Sequence, residues 1–338
     1  MARRFSRRRF SAAIASGIVA SGFPNVVRAQ TARTLTFAHV NPQDTLYGVV
    51  SIEFARKLNE LSAGSLKAQI YPSGQLGQEE ELAQKIRTGD VDIAICSTAN
   101  TSSVCPQAGV FSLEFLYANE AAMLKSVQDP GLNATFKKMI AETVSGAMSL
   151  GLFTQGARNI CGKTAVQSVQ DVKGKKIRVQ ATRTEDAFMS AYGAIPTHIP
   201  FGQVYTALQT GVVQLAENGN NIIVANKWYE VAPALSLTEH EANNSHLFVS
   251  VKTWQSLTAD QQKWLVTSYD GARRLAATKM AELNNDALAK LRTLGVQVVA
   301  NVNKASFTDI ARPLVDSEAK GLGPYAEQLL RQVRAISK

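Results

Sequence analysis

Residues 88–94, Thr-Gly-Asp-Val-Asp-Ile-Ala, are answered by residues 210–216, Thr-Gly-Val-Val-Gln-Leu-Ala. In both heptads a helical pattern stops at glycine and an aliphatic strand follows; glycine suits that stop because it tolerates a left-handed backbone. Reading outward from the first copy, residues 34–40 (TLTFAHV) form a strand. In residues 45–64, Val50, Phe54, Leu58 and Leu61 recur at helical spacing, with Gly64 as the stop. Leu66, Ala68 and Ile70 alternate as a second strand, residues 78–89 form a helix with Glu79, Glu80 and Glu81 in its first turn, and residues 91–95 form a third strand. This β-α-β-α-β order predicts a mostly parallel sheet covered by helices. Before the second heptad, Ile177 and Val179 alternate with Lys176, Arg178 and Gln180, which predicts the matching strand. The repeat occurs twice, so it implies two α/β domains of similar topology rather than a solenoid array.

Two such domains create a cleft, and open α/β sheets bind ligands beyond the carboxyl ends of their strands. Those ends lead to Ser97 in the first copy and to residues 217–221 in the second, with Arg178 on a strand aimed the same way. Further on, Thr258 and Gln261 have capping-box spacing, and a helical pattern runs from there to Leu294. So long a helix must span both domains or break near Gly271. Residues 295–300 predict a strand and 325–336 a final helix.

The chain has 338 residues and a formal charge of +9. Six arginines precede Gln30, and no acidic residue does. Setting those six aside leaves 30 basic residues against 27 acidic ones, or +3, which is no footprint for a polyanion and excludes a nucleic-acid partner. Residues 1–29 read as an export signal: an arginine-rich start, a weakly apolar stretch over 11–23, and small residues Val27 and Ala29 before a cleavage point. Residues 6–10 (SRRRF) resemble a twin-arginine signal; an ordinary secretory signal is the alternative. No other apolar run is long enough to span a bilayer. Cys96, Cys105 and Cys161 show no metal-ligand spacing, and the sequence leaves open one disulfide or three thiols.

No nucleophile elbow, Walker loop or dinucleotide fingerprint is present, and the four histidines lack zinc-binding spacing. The chain therefore reads as a binding protein and not an enzyme, with neither metal nor cofactor expected. His39, at a strand's carboxyl end, is the one histidine kept as a cleft candidate. Glu79–Glu81 read as helix-start acids, and Trp228, Trp254 and Trp264 as core anchors.

Residues 156–160 (GARNI), 171–180 (DVKGKKIRVQ), 193–218 (GAIPTHIPFGQVYTALQTGVVQLAEN) and 229–240 (YEVAPALSLTEH) resemble the DctP-type receptors of TRAP transporters, the tripartite ATP-independent periplasmic systems. Residues 37–42 and 71–82 fit as well. The resemblance implies a two-domain periplasmic binding protein fold with a ligand cleft between domains and a long helix near the C-terminus. The expected domains are 32–155 with 244–283, and 156–243 with 284–338. It implies a periplasmic receptor for a small organic acid, delivered to the two-subunit TRAP membrane permease. It assigns Arg178 to the ligand carboxylate, Arg158 to its support, Asn218 to a ligand contact, Phe201 to an apolar wall and Ser97 to a variable contact. A sensor for a membrane signalling partner would share this site. Gln214, Gly219 and Gln180 depart from the residues common in the family, and Glu217-Asn218 stands where a metal-bridged subgroup has Glu-Trp.

Overall fold

A computed structural model describes residues 32–337, so the export signal expected over 1–29 lies outside the described residues. The strands are β1 (Arg33–Ala38), β2 (Leu66–Tyr71), β3 (Ile93–Ser97), β4 (Ala147–Gly162), β5 (Lys176–Val179), β6 (Ile195–His198), β7 (Leu215–Asn218), β8 (Ala234–Ser250) and β9 (Gln297–Val299). The helices are α1 (Leu46–Leu61), α2 (Glu79–Thr88), α3 (Thr98–Thr101), α4 (Glu120–Gln128), α5 (Pro130–Thr143), α6 (Arg183–Ala191), α7 (Val204–Thr210), α8 (Asn220–Ala225), α9 (Val251–Gln255), α10 (Ala259–Thr293), α11 (Ala305–Leu322) and α12 (Pro324–Ile336).

The strands form one sheet in the order β2-β1-β3-β8-β4-β7-β5-β6, with β9 paired to β8. Its two flanks are the same motif twice: β2-β1-β3 on one side and β6-β5-β7 on the other, each parallel within itself. The glycines of the two heptads, Gly89 and Gly211, both take left-handed φ values, 82° and 76°, and end α2 and α7. The sequence reading paired the wrong strands, however. Strand β5 is the counterpart of β1, and the counterpart of β2 is β6, which was not expected. Pro196 and Pro200 argue against a strand there, but β6 is an edge strand bonded only to β5, where proline is tolerated.

The centre of the sheet is antiparallel, which the repeat alone did not announce. Strands β4 and β8 run alongside each other over most of their length. One end of β8 pairs with β3 (Ile93↔Val249 to Ser97↔Ser245), and the far half of β4 pairs with β7 (Asn159↔Asn218). The two lobes therefore share two continuous strands. Helix α10 runs unbroken through Gly271 and packs on α1 in the first lobe and on α8 and β9 in the second. At Gly271 the Lys57 side chain of α1 lies directly over the helix. The expected capping box of Thr258 and Gln261 is present.

One large apolar core lines the inner faces of α1, α5 and α10 against the sheet, through Phe37, Phe54, Phe136 and Leu265. A smaller one gathers Leu208, Val213, Leu235 and Leu291 around Trp228 under β7. Leu61, expected on the buried face of α1, is 42% exposed at the helix end. The final helix α12 packs on α4 and α5 of the first lobe, tied by Lys125 Nζ donating to the Ile336 carbonyl at 2.9 Å. All three cysteines are buried free thiols. No described helix is long and apolar enough to cross a membrane.

A register shift interrupts the β4–β8 ladder between Thr154 and Ala157, at Gly156, whose φ is 94°. A Cβ there would meet Asn284 Nδ2 at 2.9 Å, displacing an amide that donates to the Gln155 carbonyl. Gly156→Ala should therefore cost about 1–3 kcal/mol in urea unfolding. An unchanged midpoint would show that the irregularity does not require glycine.

Candidate functional site

Parallel strands expose their carboxyl ends along one edge, and both copies of the motif end at the same cavity. The first lobe contributes Val40 and Asn41 after β1, Glu79 at the start of α2, and Ser97 and Asn100 after β3. The second contributes Arg178 and Gln180 from β5 and beyond, Asn218 from the end of β7, and Phe201. The shared strands β4 and β8 add Gln155, Arg158 and Asn243. The site is polar and deep: Arg178 is 2% exposed and Arg158 is 1% exposed.

The two arginines have different duties. Arg158 forms a two-pronged ion pair with Glu217: Nε donates to one carboxylate oxygen and Nη2 to the other, and Nη2 also reaches the Glu217 carbonyl at 3.1 Å. Burial works against the charge of Arg158, but Glu217 outweighs it and raises the guanidinium above its usual range. Arg178 Nε donates to the Ile199 carbonyl at 2.9 Å, which fixes the plane of its guanidinium. Its Nη1 stands 4.0 Å from Glu217 Oε1, and among the described residues neither terminal nitrogen has a hydrogen-bond partner. Burial pushes Arg178 below its usual range, and the pull of Glu217 offsets this only in part. A buried cation of this kind gains most from an incoming anion, since two parallel N–H donors match a carboxylate.

Further acids surround the pair. Glu185 accepts from the Gln180 amide at 2.7 Å, and burial together with Glu217 pushes its carboxyl up to about 7. Burial and Glu185 push Glu241 well above the usual carboxylate range, and burial with Arg158 lowers His240 to about 3. Glu217, His240 and Glu241 bring ligand atoms within 4.8 Å of one another. With Glu217 committed to Arg158 and burial working against the charged form of Glu241, this trio offers a cation little negative charge.

Of the residues singled out from sequence, Arg178, Arg158, Asn218, Phe201 and Ser97 all line the cavity. Asn218 Oδ1 accepts from Asn243 at 3.0 Å, and Phe201 leans on Trp228 with ring centroids 5.8 Å apart. Ser97 is committed within the wall, donating to Glu79 at 2.6 Å and accepting from Gln180 Nε2 at 2.8 Å, a bond that joins the lobes. His39 is the exception. It lies behind the wall, its Nε2 3.3 Å from Ser51 Oγ and its ring against Tyr47, and burial pushes it down to about 4. The strand end turns it inward, and Val40 and Asn41 face the cavity in its place.

Glu79 is the residue that sequence reasoning passed over. It is a first-turn acid, as read, yet only 4% exposed. Tyr47 OH, the Ser97 amide and hydroxyl, and Asn100 Nδ2 all donate to it, at 3.1, 3.0, 2.6 and 2.8 Å. The signal was available: α2 begins at the ligand-facing edge of the sheet, so its first residue had to point there. Gln155 and Asn243 had no such signal, because only the crossing of β4 and β8 brings them to the cavity.

A two-lobed α/β sheet closing on a buried, unsatisfied guanidinium defines a solute-binding protein. The chain belongs to the bacterial extracellular solute-binding protein family 7 (DctP), whose model matches residues 37–321. It is 26% identical to the C4-dicarboxylate-binding periplasmic protein DctP of Rhodobacter capsulatus, covering 86% of this chain and 87% of that one. It is 25% identical to the 2,3-diketo-L-gulonate-binding periplasmic protein of Escherichia coli, over 90% of this chain and 92% of that one. Among solved structures, the sugar acid binding protein of Advenella mimigardefordensis in complex with galactonate superposes with a TM-score of 0.86 at 26% identity, covering 91% and 99% of the two chains. A TRAP periplasmic solute-binding protein of Xanthobacter autotrophicus with bound β-D-galacturonate gives 0.83 at 26% identity, covering 89% and 99%.

Two substitutions separate the arginines. Arg178→Ala should abolish most ligand binding, by about 10²–10³-fold in calorimetry, while the melting temperature without ligand changes little. Arg158→Ala should instead destabilise the fold by about 3–5 kcal/mol, because it strands Glu217. The reverse pattern would overturn the division of labour. Glu185 gives a pH prediction. The unfolded chain releases its proton near the ordinary glutamate value of 4.5, while the fold keeps it until about 7, so stability falls as pH rises across that window. Glu185→Gln should flatten that part of the curve, read from urea midpoints between pH 4 and 8.

Proposed function

We propose that this protein is a periplasmic receptor that closes around a small organic acid anion and delivers it to the TRAP membrane permease. The observation that carries this reading is Arg178: a buried guanidinium whose two terminal nitrogens face the interlobe cavity without a hydrogen-bond partner among the described residues. Leaving such a cation unpaired is costly, and a ligand carboxylate removes that cost. Arg158 supports it through Glu217, Asn218 and Phe201 complete the second lobe's wall, and Ser97 sits in the first lobe's wall.

The printed names of related proteins support an acid ligand and a periplasmic address. Residues 1–29 would direct export and be removed near Ala29. The lobes, residues 32–155 with 244–283 against 156–243 with 284–338, would open by bending β4 and β8 near Gly156, and the bonds from Gln180 and Ala181 to Ser97 and Asn100 would close them. Incubating the purified protein with a panel of organic acids should raise its melting temperature for at least one of them, since a ligand of the folded state stabilises it. No shift with any acid, alongside a shift with neutral sugars or amines, would sink the proposal.

A further inference from the structure

Three charged side chains line the cavity: Arg158, Arg178 and Glu79. Arg158 is neutralised by Glu217, which leaves Arg178 as the one cation with both terminal nitrogens unbonded. Glu79 puts a carboxylate into the same small space from the other lobe. Its Oε2 already accepts three hydrogen bonds, whereas Oε1 accepts only from Tyr47 at 3.1 Å and keeps capacity for one more. Most of the rest of the lining is carboxamide, Asn41, Asn100, Gln155, Gln180, Asn218 and Asn243, with the hydroxyls of Ser97 and Tyr47 beside it. Several of their atoms, including Asn41 Oδ1, Gln180 Oε1, Asn218 Nδ2 and Asn243 Oδ1, make no hydrogen bond among the described residues. Only Val40 and Phe201 are apolar.

We infer that the ligand is a polyhydroxylated monocarboxylate of the sugar-acid class, with Glu79 acting as the residue that rejects a second carboxylate. This rests on the organic-acid reading above and narrows it. One carboxylate is accommodated by Arg178. A second would find no unpaired cation and would meet Glu79, a like charge in a poorly hydrated space. Hydroxyl groups both donate and accept, so they can satisfy the open amide atoms and Glu79 Oε1 together. An unsubstituted methylene chain would leave those buried groups unpaired, and sites built to hydrogen-bond a hydroxyl strongly reject analogues that lack it.

The test is a calorimetric comparison of matched probes on the full mature protein. D-galactonate, D-galacturonate and D-erythronate carry one carboxylate and several hydroxyls; galactarate adds a second carboxylate to the galactonate skeleton; succinate and hexanoate lack hydroxyls. At least one of the first three should bind about tenfold or more tighter than galactarate, succinate and hexanoate. In Glu79→Gln, the preference for galactonate over galactarate should shrink by about tenfold or more. Galactarate or succinate binding as tightly as the best monocarboxylate would overturn the role of Glu79. Hexanoate binding equally well would overturn the hydroxyl requirement. Either result would leave the organic-acid reading standing, because an acid would still bind and Arg178→Ala would still abolish it. Binding of none of the six would overturn both. The wild-type comparison decides the ligand class even if Glu79→Gln fails to fold.

Discussion

One buried carboxylate, Glu217, stands between two buried guanidiniums, and much of the site follows from how it is shared. It is bonded on both oxygens to Arg158 and lies only 4.0 Å from Arg178 Nη1. One negative charge cannot fully compensate two positive ones in a poorly hydrated interior. The nearby acids do not make up the difference, because burial holds Glu185 and Glu241 toward their neutral forms. The second lobe therefore keeps a local positive excess at Arg178, fixed in direction by the Ile199 carbonyl.

The scaffold that holds this arrangement is a doubled motif joined by two strands. Each copy ends its parallel strands at the same edge, so β1 and β3 face β5 and β7 across the cavity. Strands β4 and β8 belong to both lobes, and the ladder irregularity at Gly156 lies between their two halves. That placement links mechanics to chemistry. Arg158 is two residues from Gly156, and its partner Glu217 lies on β7, paired to β4 through Ile160. Bending at this point would move the lobes while leaving the Arg158–Glu217 pair within one of them. The contacts that must break on opening are the few across the cleft, such as Gln180 to Ser97 and Gly202 to Gln78.

Gln180 illustrates how a departure from a family pattern acquires a physical meaning. Its backbone N–H donates to Glu185 and its side chain to Ser97. Proline at this position could do neither. The residue thus ties the clamp strand to an acid behind it and to the opposite lobe in front.

Much of this was legible in the sequence, and the gaps have specific causes. Periodicity and glycine stops located β1–β3, α1, α2, α10 and α12, because each carries its own local pattern. The resemblance carried Arg178, Arg158, Asn218 and Phe201 to the cavity. Strand β6 was missed because its proline, Pro196, obeys an edge-strand rule that needs the sheet order to apply. His39 was misplaced by one side-chain alternation, which flips a residue to the other face. The amino-acid sequence by itself determined the repeated motif, the long C-terminal helix and the place of Arg178 at the cavity, since those depend on local pattern or on motif order. Only the tertiary structure decided which arginine is already neutralised, that Glu79 lines the cavity, and that Gln155 and Asn243 do so too. Arg158, Gln155 and Asn243 owe their places to strands β4 and β8 crossing between lobes, and Glu79 and Glu217 to contacts with partners far apart in the chain, which no local pattern encodes.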